Sequence, residues 1–303
     1  MGAREATETT TAAEAQSALA ERFEAQRGQL RAVAYRMLGS LSQAEDAVQE
    51  TWLRLGRADA GEVRNLPGWL RTVVSRVCLD MLRSSTARHE EPAGRQLPDP
   101  PGEEAGPEQE ALLAESVGRA LLVVLATLGP AERVAFVLHD LFAVPFEEIA
   151  PIVDRTPVAA KKLASRARSK VRRTPALPAA ELDRQRRLVT AFLSAARGGD
   201  LAALLTLLAP DVVRHSDAAA VPAGAPVMAR GRRAVAQGVL AFGHRARFAE
   251  PALVDGAVGA VVAPYGRLAL ALTFTFEGER ITGYRVIADP ARLRALDLAV
   301  PAP

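Results

Sequence analysis

Apolar residues recur at helical spacing over most of the first half of the chain. This pattern predicts helices near residues 18–38, 42–56 and 66–84, and further helices between about 107 and 173. Within the last stretch, Phe146, Ile149 and Val153 mark a short amphipathic helix. A tight connection at 154–156 leads from it into a second helix. A short helix, a tight turn and a second helix are typical of a helix-turn-helix, whose second helix enters the major groove of DNA.

The period changes in the last third of the chain. Helices are predicted at 181–197, 200–208 and 231–242. Large apolar residues then alternate with small or polar residues from Leu268 to Phe276, and a turn at 277–279 leads into a returning strand that ends at Ile287. Helices followed by a curled antiparallel sheet predict an α+β domain.

The helix after Thr156 concentrates positive charge. Thr156 is placed to cap this helix, and Pro157 suits its first turn. One stripe is apolar: Ala160, Leu163, Ala167 and Val171. The basic residues fall mainly outside that stripe: Lys161, Lys162, Arg166, Arg168, Lys170, Arg172 and Arg173. A solvated basic face is the alternative, but the absence of any acid between 156 and 173 favours DNA contact.

Two further surfaces are candidates for binding. Ser42 and Glu45 form a capping-box pattern that predicts a helix start. The outward face of that helix suits a protein partner, with a solvated face as the alternative: Asp46, Gln49, Glu50, Leu53 and Arg54. The next helix and the loop before it suit DNA phosphates or an unstacked base, with solvated arginines as the alternative: Arg57, Arg64, Asn65, Arg71, Arg76 and Arg83.

Composition limits the class of protein. A chain of 303 residues with 49% hydrophobic content can form two or three packed domains. The single cysteine, Cys78, lies among apolar residues and predicts a small buried side chain in a reducing cytoplasm. We expect no secretion signal and no membrane span, because no apolar stretch is long enough. His89 and His139 have no metal-ligand neighbours, and no phosphate-binding glycine loop occurs, so we expect neither metal nor cofactor.

Breaks in the pattern predict five segments. Residues 86–107 are rich in proline and acid, and a second break follows residue 173. The predicted segments are a mobile tail at 1–17, a helical domain at 18–85, an acidic linker at 86–107, a second helical domain at 108–173, and an α+β domain at 180–298.

An ordered series of motifs resembles the extracytoplasmic-function sigma factors of bacterial RNA polymerase. Four segments resemble sigma region 2: AYRMLGS at 34–40, AEDAVQETWLR at 44–54, PGWL at 67–70 and VCLDMLR at 77–83. Two further segments, LGPAERVAF at 128–136 and the helix-turn-helix, resemble sigma region 4. QLPDP at 96–100 and DPARL at 289–293 are similar to motifs of the subgroup that carries a SnoaL-like C-terminal extension.

The resemblance implies a promoter-specificity subunit with two all-α sigma domains and a cone-shaped α+β barrel. Region 2 would dock Asp46, Gln49, Glu50 and Arg54 on core RNA polymerase. Its next helix and the preceding loop would contact the melted −10 element, and region 4 would contact the −35 element of promoter DNA. The acidic linker would thread toward the polymerase interior, where its carboxylates occupy basic surface. A flexible, solvated linker is the alternative.

The resemblance also implies regulation by the C-terminal domain as an intramolecular partner. The implied regulatory residues are Asp217, Asp289, Pro290, Arg292 and Leu293. The subgroup usually carries three glycines after the aspartate, whereas alanines occupy 218–220 here. Because alanine disfavours positive φ, we expect this loop to follow another path.

Catalysis by the C-terminal domain is not expected, because no spacing forces its polar candidates together: Asp211, His215, Asp217, His244 and Tyr265. The concave fold suits a small apolar ligand. Two function classes stay open: a regulated sigma factor, and a helix-turn-helix regulator fused to a ligand-binding or enzymatic SnoaL-like domain.

Overall fold

A computed structural model of the chain describes residues 2–58, 63, 65–87, 118–172, 177–222 and 224–300. Of these, the side chains of 2–16, 86, 87 and 244 are not described. Arg64, Arg173 and nearly all of the predicted acidic linker lie outside the described residues. Contacts divide the chain into two compact units, one of residues 1–90 with 129–165 and the other of residues 91–128 with 166–303.

The helices of the described residues follow the apolar pattern of the sequence. They are α1 (Gly2–Leu38), α2 (Leu41–Leu55), α3 (Leu66–Ala87), α4 (Arg119–Ala126), α5 (Pro130–Phe136), α6 (Phe146–Ile149), α7 (Pro157–Val171), α8 (Ala179–Gly198), α9 (Leu201–Leu207), α10 (Arg232–Ala241), α11 (Gly243–Ala246) and α12 (Pro290–Ala295). A π-helical turn (Val137–Leu141) follows α5.

Two boundaries in the first unit differ from the predicted ones. Helix α1 begins at Gly2 rather than near residue 18, because the predicted tail is rich in Ala and Glu and contains no proline. The predicted capping box at Ser42 is wrong, since Ser40 caps α2 and accepts a hydrogen bond from the Gln43 amide. Gly39, with φ of +73°, follows the end of α1 at Leu38, where the pattern had predicted it, and Ser40 is then placed to cap the next helix.

The first unit buries one helical core. Helices α1, α2 and α3 contact one another and bury Phe23, Val48 and Leu70 among others. Cys78 is fully buried, as predicted, and burial raises the pKa of its thiol to about 12. Arg133 of α5 is buried and donates a hydrogen bond of 3.0 Å to the Met37 carbonyl at the end of α1. The α5 helix is thereby tied to the three-helix core.

The helix-turn-helix has the predicted form. Ile149, Ala150 and Val153 are buried. Asp154 has φ of +54°, and the Arg155 amide donates to the Ala150 carbonyl at 3.0 Å. The left-handed backbone conformation of Asp154 lets the chain reverse over a few residues. Non-glycine residues rarely adopt this conformation, but Asp tolerates it.

The second unit contains the mixed α+β domain. Its strands are β1 (Leu208–Ser216), β2 (Met228–Arg230), β3 (Ala249–Val254), β4 (Ala257–Val262), β5 (Leu270–Glu277), β6 (Arg280–Ile287) and β7 (Leu298–Ala299). They form one sheet in the order β2-β1-β6-β5-β4-β3-β7. The β1–β6 pair is parallel and the other pairs are antiparallel, so the sheet is mixed rather than purely antiparallel. A parallel pair needs a long crossover, which residues 217–279 provide.

The core of this domain lies between the sheet and the helices α8, α9 and α10. Phe192 of α8 contacts Phe274 and Tyr284 of the sheet, with ring centroids 5.4 and 5.6 Å apart. Leu204 and Val235 are fully buried in the same core. The chain therefore has helical regions followed by an α+β domain, which confirms the predicted fold class. The five-segment division stays a prediction, because contacts group α4 with the C-terminal part rather than with α5.

Candidate nucleic-acid and protein interfaces

Helix α7 presents an exposed basic face. Ala160, Ala164, Ala167 and Val171 are buried along one stripe, and Leu163 beside them is half-buried. The exposed basic side chains are Lys161, Lys162, Arg166, Lys170 and Arg172, while Arg168 is half-buried. The Thr156 hydroxyl accepts a hydrogen bond of 3.2 Å from the Ala159 amide and so caps the helix. The structure brings together the basic face predicted to contact duplex DNA.

The arginines of α3 are paired within the first unit. Arg71 forms an ion pair of 2.7 Å with Glu148. Arg76 donates to the Pro151 carbonyl at 3.1 Å. Arg83 lies 3.7 Å from the Asp154 carboxylate. The predicted −10 arginines thus have partners in the first helix and the turn of the helix-turn-helix, although Arg76 and Arg83 stay exposed. Sequence reasoning missed these contacts because no local signal links residues so far apart.

The loop before α3 is described only in part. Asn65 is exposed and its side chain accepts a hydrogen bond of 3.1 Å from the Gly68 amide, so it caps α3. Arg57 is exposed, and Arg64 lies outside the described residues.

The outward face of α2 is exposed as the periodicity predicted. Asp46 and Gln49 are exposed, and the Leu53 side chain is 45% exposed. Glu50 and Arg54 form an ion pair of 2.9 Å one turn apart on the same helix. An exposed leucine between acids and an amide combines an apolar anchor with polar groups, which suits a protein partner.

The predicted regulatory residues meet around Asp217. Its carboxylate accepts hydrogen bonds of 3.0 and 3.1 Å from the amides of Ala288 and Asp289, and it forms an ion pair with Arg292. Asp289 in turn caps α12, which begins at Pro290, by accepting from the Arg292 amide at 2.9 Å. Leu293 is half-buried on the same helix.

The loop after Asp217 accommodates its alanines. Residues Ala218–Ala220 form a 3₁₀ helix in which no residue has positive φ. Alanine therefore suits the path that the loop takes in this chain.

Helix α4 is bound by the C-terminal domain within the second unit. The Glu250 carboxylate accepts a hydrogen bond of 2.9 Å from the Ala120 amide and lies 3.6 Å from the Arg119 guanidinium. That guanidinium lies 5.7 Å from the centroid of the Phe248 ring. Sequence reasoning missed these residues, because Glu250 is separated from Ala120 by 130 positions.

The predicted catalytic candidates whose side chains are described differ in their surroundings. Asp211 and His215 are exposed, and Asp217 is engaged by α12. Tyr265 is half-buried beside Phe248, with ring centroids 6.1 Å apart. The side chain of His244 lies outside the described residues.

Of the two histidines predicted to lack metal-ligand neighbours, the structure describes His139. His139 stacks on Phe146 at 4.0 Å, and its Nδ1 lies 3.1 Å from the Val144 carbonyl oxygen. His89 lies outside the described residues. No cluster of three metal-ligating side chains occurs in the described part of the chain. None of the helices described there is long and apolar enough to cross a membrane.

Comparison with known families identifies the class. Residues 22–88 match the family described as Sigma-70 region 2, and residues 118–171 match Sigma-70, region 4. These are the helices that carry the α2 face, the α3 arginines and the basic α7 face. The fold and its surfaces thus define an RNA polymerase sigma factor.

Curated relatives narrow the class to a family. The chain is 41% identical over 250 residues to the ECF RNA polymerase sigma factor SigJ of Mycobacterium tuberculosis. The matched region covers 80% of each chain. It is 35% identical over 280 residues to the probable ECF RNA polymerase sigma factor SigI of the same species. This match covers 90% of this chain and 94% of SigI. The crystal structure of SigJ matches with 32% identity and a TM-score of 0.44, over 90% of this chain and 97% of that one.

The chain belongs to the extracytoplasmic-function sigma factors, and it is a promoter-specificity subunit of bacterial RNA polymerase. It therefore associates with core RNA polymerase and with promoter DNA. A helix-turn-helix regulator fused to an enzyme is not favoured, because such a regulator would have no need of sigma region 2.

Proposed function

We propose that the C-terminal domain, residues 180–298, regulates this sigma factor by intramolecular contacts. In the proposed closed state, region 4 is engaged by other parts of its own chain. Opening releases it for polymerase and promoter. Two groups of contacts support the proposal, one within each compact unit.

The proposal assigns a role to each surface. The α2 face of Asp46, Gln49, Glu50, Leu53 and Arg54 docks on core polymerase. The α7 residues Thr156, Lys161, Lys162, Arg166, Arg168 and Arg172 contact the −35 duplex, and Arg64, Asn65, Arg76 and Arg83 contact the −10 element. Exposure of the α2 and α7 side chains supports the first two assignments.

The contact of Glu250 with α4 is the observation that carries the regulatory proposal. The residue before α4 is Gly118, which has no side chain to cap the helix. Glu250 supplies the missing acceptor to the Ala120 amide from the C-terminal domain. A carboxylate at a helix N-terminus is favoured by the unpaired amides and by the helix dipole. The start of region 4 is therefore completed by a residue of the regulatory domain.

Burial strengthens this contact. The side chains of Arg119 and Glu250 are 11% and 22% exposed. A charge-assisted hydrogen bond in such a setting contributes about 1.5–3 kcal/mol, whereas fully exposed pairs contribute less. Loss of Glu250 would leave the partly buried Arg119 guanidinium without this carboxylate and the Ala120 amide without its acceptor.

A second contact joins Val300, just after the domain, to the end of α7. The Val300 amide, next to β7, donates a hydrogen bond of 2.9 Å to the Val171 carbonyl. Val171 is the last residue of α7, so this bond satisfies one of the carbonyls left unpaired at a helix C-terminus. The segment that follows α12 thereby contacts the basic helix.

The region 2 pairings support the same closed state. Arg71, Arg76 and Arg83 are engaged by residues 148–154 of region 4. The proposed −10 surface must exchange these partners for DNA before it can act.

Replacement of Glu250 tests the proposal. We expect Glu250→Ala to raise transcription from a cognate promoter by several-fold in a purified system, because α4 loses its cap and region 4 is released. Glu277→Ala is the matched control, since Glu277 is an exposed acid of the same domain. Hydrogen exchange at the amides of α4 reports the release independently. Faster exchange in α4 with unchanged transcription would refute regulation through this contact.

We propose further that the C-terminal domain performs no turnover and that the protein acts in the cytoplasm, where polymerase is found. Sigma factors are in general initiation factors rather than enzymes. The exposure of Asp211 and His215 to solvent supports this proposal. Conversion of a small-molecule substrate by the purified chain would contradict it.

A further inference from the structure

A cavity lies inside the C-terminal domain, between the sheet and the helices α8, α10 and α11. Its walls are largely apolar and include Phe192, Val239, Val262 and Leu272. The atom-free space amounts to about 680 Å³, including solvent at the open mouth. Pockets for small ligands commonly have this apolar character.

Arg214 of β1 lines this cavity and is buried. Its residue exposure is 8%. One terminal nitrogen, Nη2, donates a hydrogen bond of 2.9 Å to the Pro226 carbonyl. Its Nε is buried and has no hydrogen-bond partner among the described residues. A buried guanidinium with an unused donor is costly unless a further acceptor binds it.

The described residues that line the cavity include no acid. The polar side chains among them are Arg214, Ser216, Arg245 and Tyr284. Arg245 is half-buried, and its guanidinium lies 5.5 Å from the centroid of the Phe242 ring. Two cationic side chains therefore line one apolar cavity, and neither has a carboxylate there.

The surroundings of Arg214 are tightly shaped. A Cβ atom at Gly238 of α10 would lie 3.0 Å from the Arg214 Nη1. Tyr284 lies on the neighbouring strand, where its register partner is Arg214 itself. Burial raises the pKa of the Tyr284 hydroxyl, and the positive charge of Arg214 opposes that shift. Tyr284 is thus a neutral group at neutral pH and leaves the Arg214 charge unbalanced.

We propose that this cavity binds a small amphipathic carboxylate, with its carboxylate on Arg214 and its apolar body against the walls. Planar guanidinium and carboxylate groups match in geometry, and a buried pair of this kind satisfies the Nε donor. The apolar walls require a hydrocarbon body, which a bare anion lacks. The site lies outside the polymerase and promoter surfaces, so the inference is independent of the proposed regulatory function.

The first test compares the binding of two ligands with different headgroups to the unmodified full-length protein. Octanoate and 1-octanol have the same chain length and differ in the headgroup. We expect isothermal titration to show saturable octanoate binding, with 1-octanol weaker by roughly tenfold to a hundredfold, as one hydrogen bond to a charged group implies. Acetate, which has the headgroup without the body, should bind at least about tenfold more weakly than octanoate.

Replacement of Arg214 is the second test. We expect Arg214→Met to bind octanoate no better than 1-octanol, while retaining a long apolar side chain in the cavity. Arg285→Met is the matched control, because Arg285 is adjacent to Tyr284 but exposed on the other face of the sheet. The control should keep the preference for octanoate.

Several results would overturn the proposal. They are equal binding of octanoate and 1-octanol by the unmodified protein, equal binding of acetate and octanoate, and an absence of saturable octanoate binding. An octanoate preference that survives Arg214→Met, or that is lost equally in Arg285→Met, would also overturn it. Because the first three results use the unmodified protein, the proposal stays testable even if Arg214→Met fails to fold.

Discussion

The basic surfaces of α3 and α7 carry the same residue types but differ in their partners. On α7 the side chains of Lys161, Lys162 and Arg166 are exposed. On α3 the three arginines are engaged by Glu148, Pro151 and Asp154 of the same chain. A sequence pattern of arginines on a helix therefore indicates what a surface can bind, but not whether its side chains already contact residues of the same chain.

The contacts that engage the α3 arginines are weak enough to be exchanged. The Arg83–Asp154 pair is 3.7 Å long and its two side chains are largely exposed, so it contributes little. The shorter Arg71–Glu148 pair is also partly solvated. Exposed pairs typically contribute about 0.2–1 kcal/mol each. Promoter DNA, which offers many phosphates, can replace such partners.

Charge reversal on the open α2 face should give the largest effect. We expect Asp46→Lys with Glu50→Lys to abolish association with core polymerase, because two acids of the proposed docking face become cations. The fold should be retained, since exposed substitutions usually change the free energy of unfolding by no more than about 0.5 kcal/mol. A pull-down with core polymerase and a thermal melt measure both quantities.

The control for this prediction reverses two acids elsewhere. Glu277→Lys with Glu279→Lys changes net charge equally at the turn between β5 and β6, where both acids are exposed. Undiminished core binding by a well-folded α2 variant would show that this face is not the docking surface.

Neutralisation of the open α7 face should give the next largest effect. We expect Lys162→Ala with Arg166→Ala to weaken promoter binding, with about 1–3 kcal/mol lost for each base contact. A lost phosphate contact would instead weaken binding on all sequences and reduce the salt dependence. A salt titration of promoter affinity separates these cases, with Arg280→Ala as control. Unchanged affinity across the titration would exclude α7 as the recognition helix.

Release of the engaged α3 arginines should give the smallest effect. We expect Glu148→Ala to raise formation of the open promoter complex by about two- to fivefold, because the freed Arg71 no longer holds region 4 over α3 and an exposed pair contributes at most about 1 kcal/mol. Glu147→Ala is a closely matched control, since Glu147 is the neighbouring exposed acid. Permanganate footprinting of the melted promoter measures the difference. If both variants gave the same footprint, the pairing would have no role in initiation.

Local signals in the sequence predicted local features well. The basic helix, its Thr156 cap and the burial of Ala160, Ala167 and Val171 follow from spacing alone, while Leu163 is only half-buried and Ala164 was not predicted. The exposed α2 face follows in the same way. The capping box at Ser42 failed, because Ser40 with Gln43 offers the same signal two residues earlier and Gly39 decides between them.

Strands that are buried on both faces were missed. In β4 five consecutive residues from Val258 are buried, so the alternation that marks a half-exposed strand is absent. In β1, by contrast, Val212 and Arg214 share the buried face and His215 is exposed. That alternation was the signal that could have identified Arg214 as a buried cation.

Contacts between distant residues had no signal in a single sequence. Glu250 meets Ala120 and Asp217 meets Arg292 only because the fold brings them together. The resemblance pointed to Asp217 and to the Asp289–Leu293 segment separately, but the ion pair between them was not predicted.

The short segment of residues 246–250 contacts both the cavity and helix α4. Ala246 and Ala249 line the cavity, while Phe248 and Glu250 hold α4. Arg197 fixes this segment by donating to the carbonyls of Ala246 and Ala249 at 3.0 and 2.6 Å. Binding free energies at two such sites are reciprocal. A molecule whose entry shifts this segment would change the affinity for α4, and release of α4 on polymerase would change the affinity for that molecule by the same factor. The ratio of the ligand's affinities for the free and the polymerase-bound protein would therefore equal the factor by which the bound ligand changes the equilibrium for release of α4.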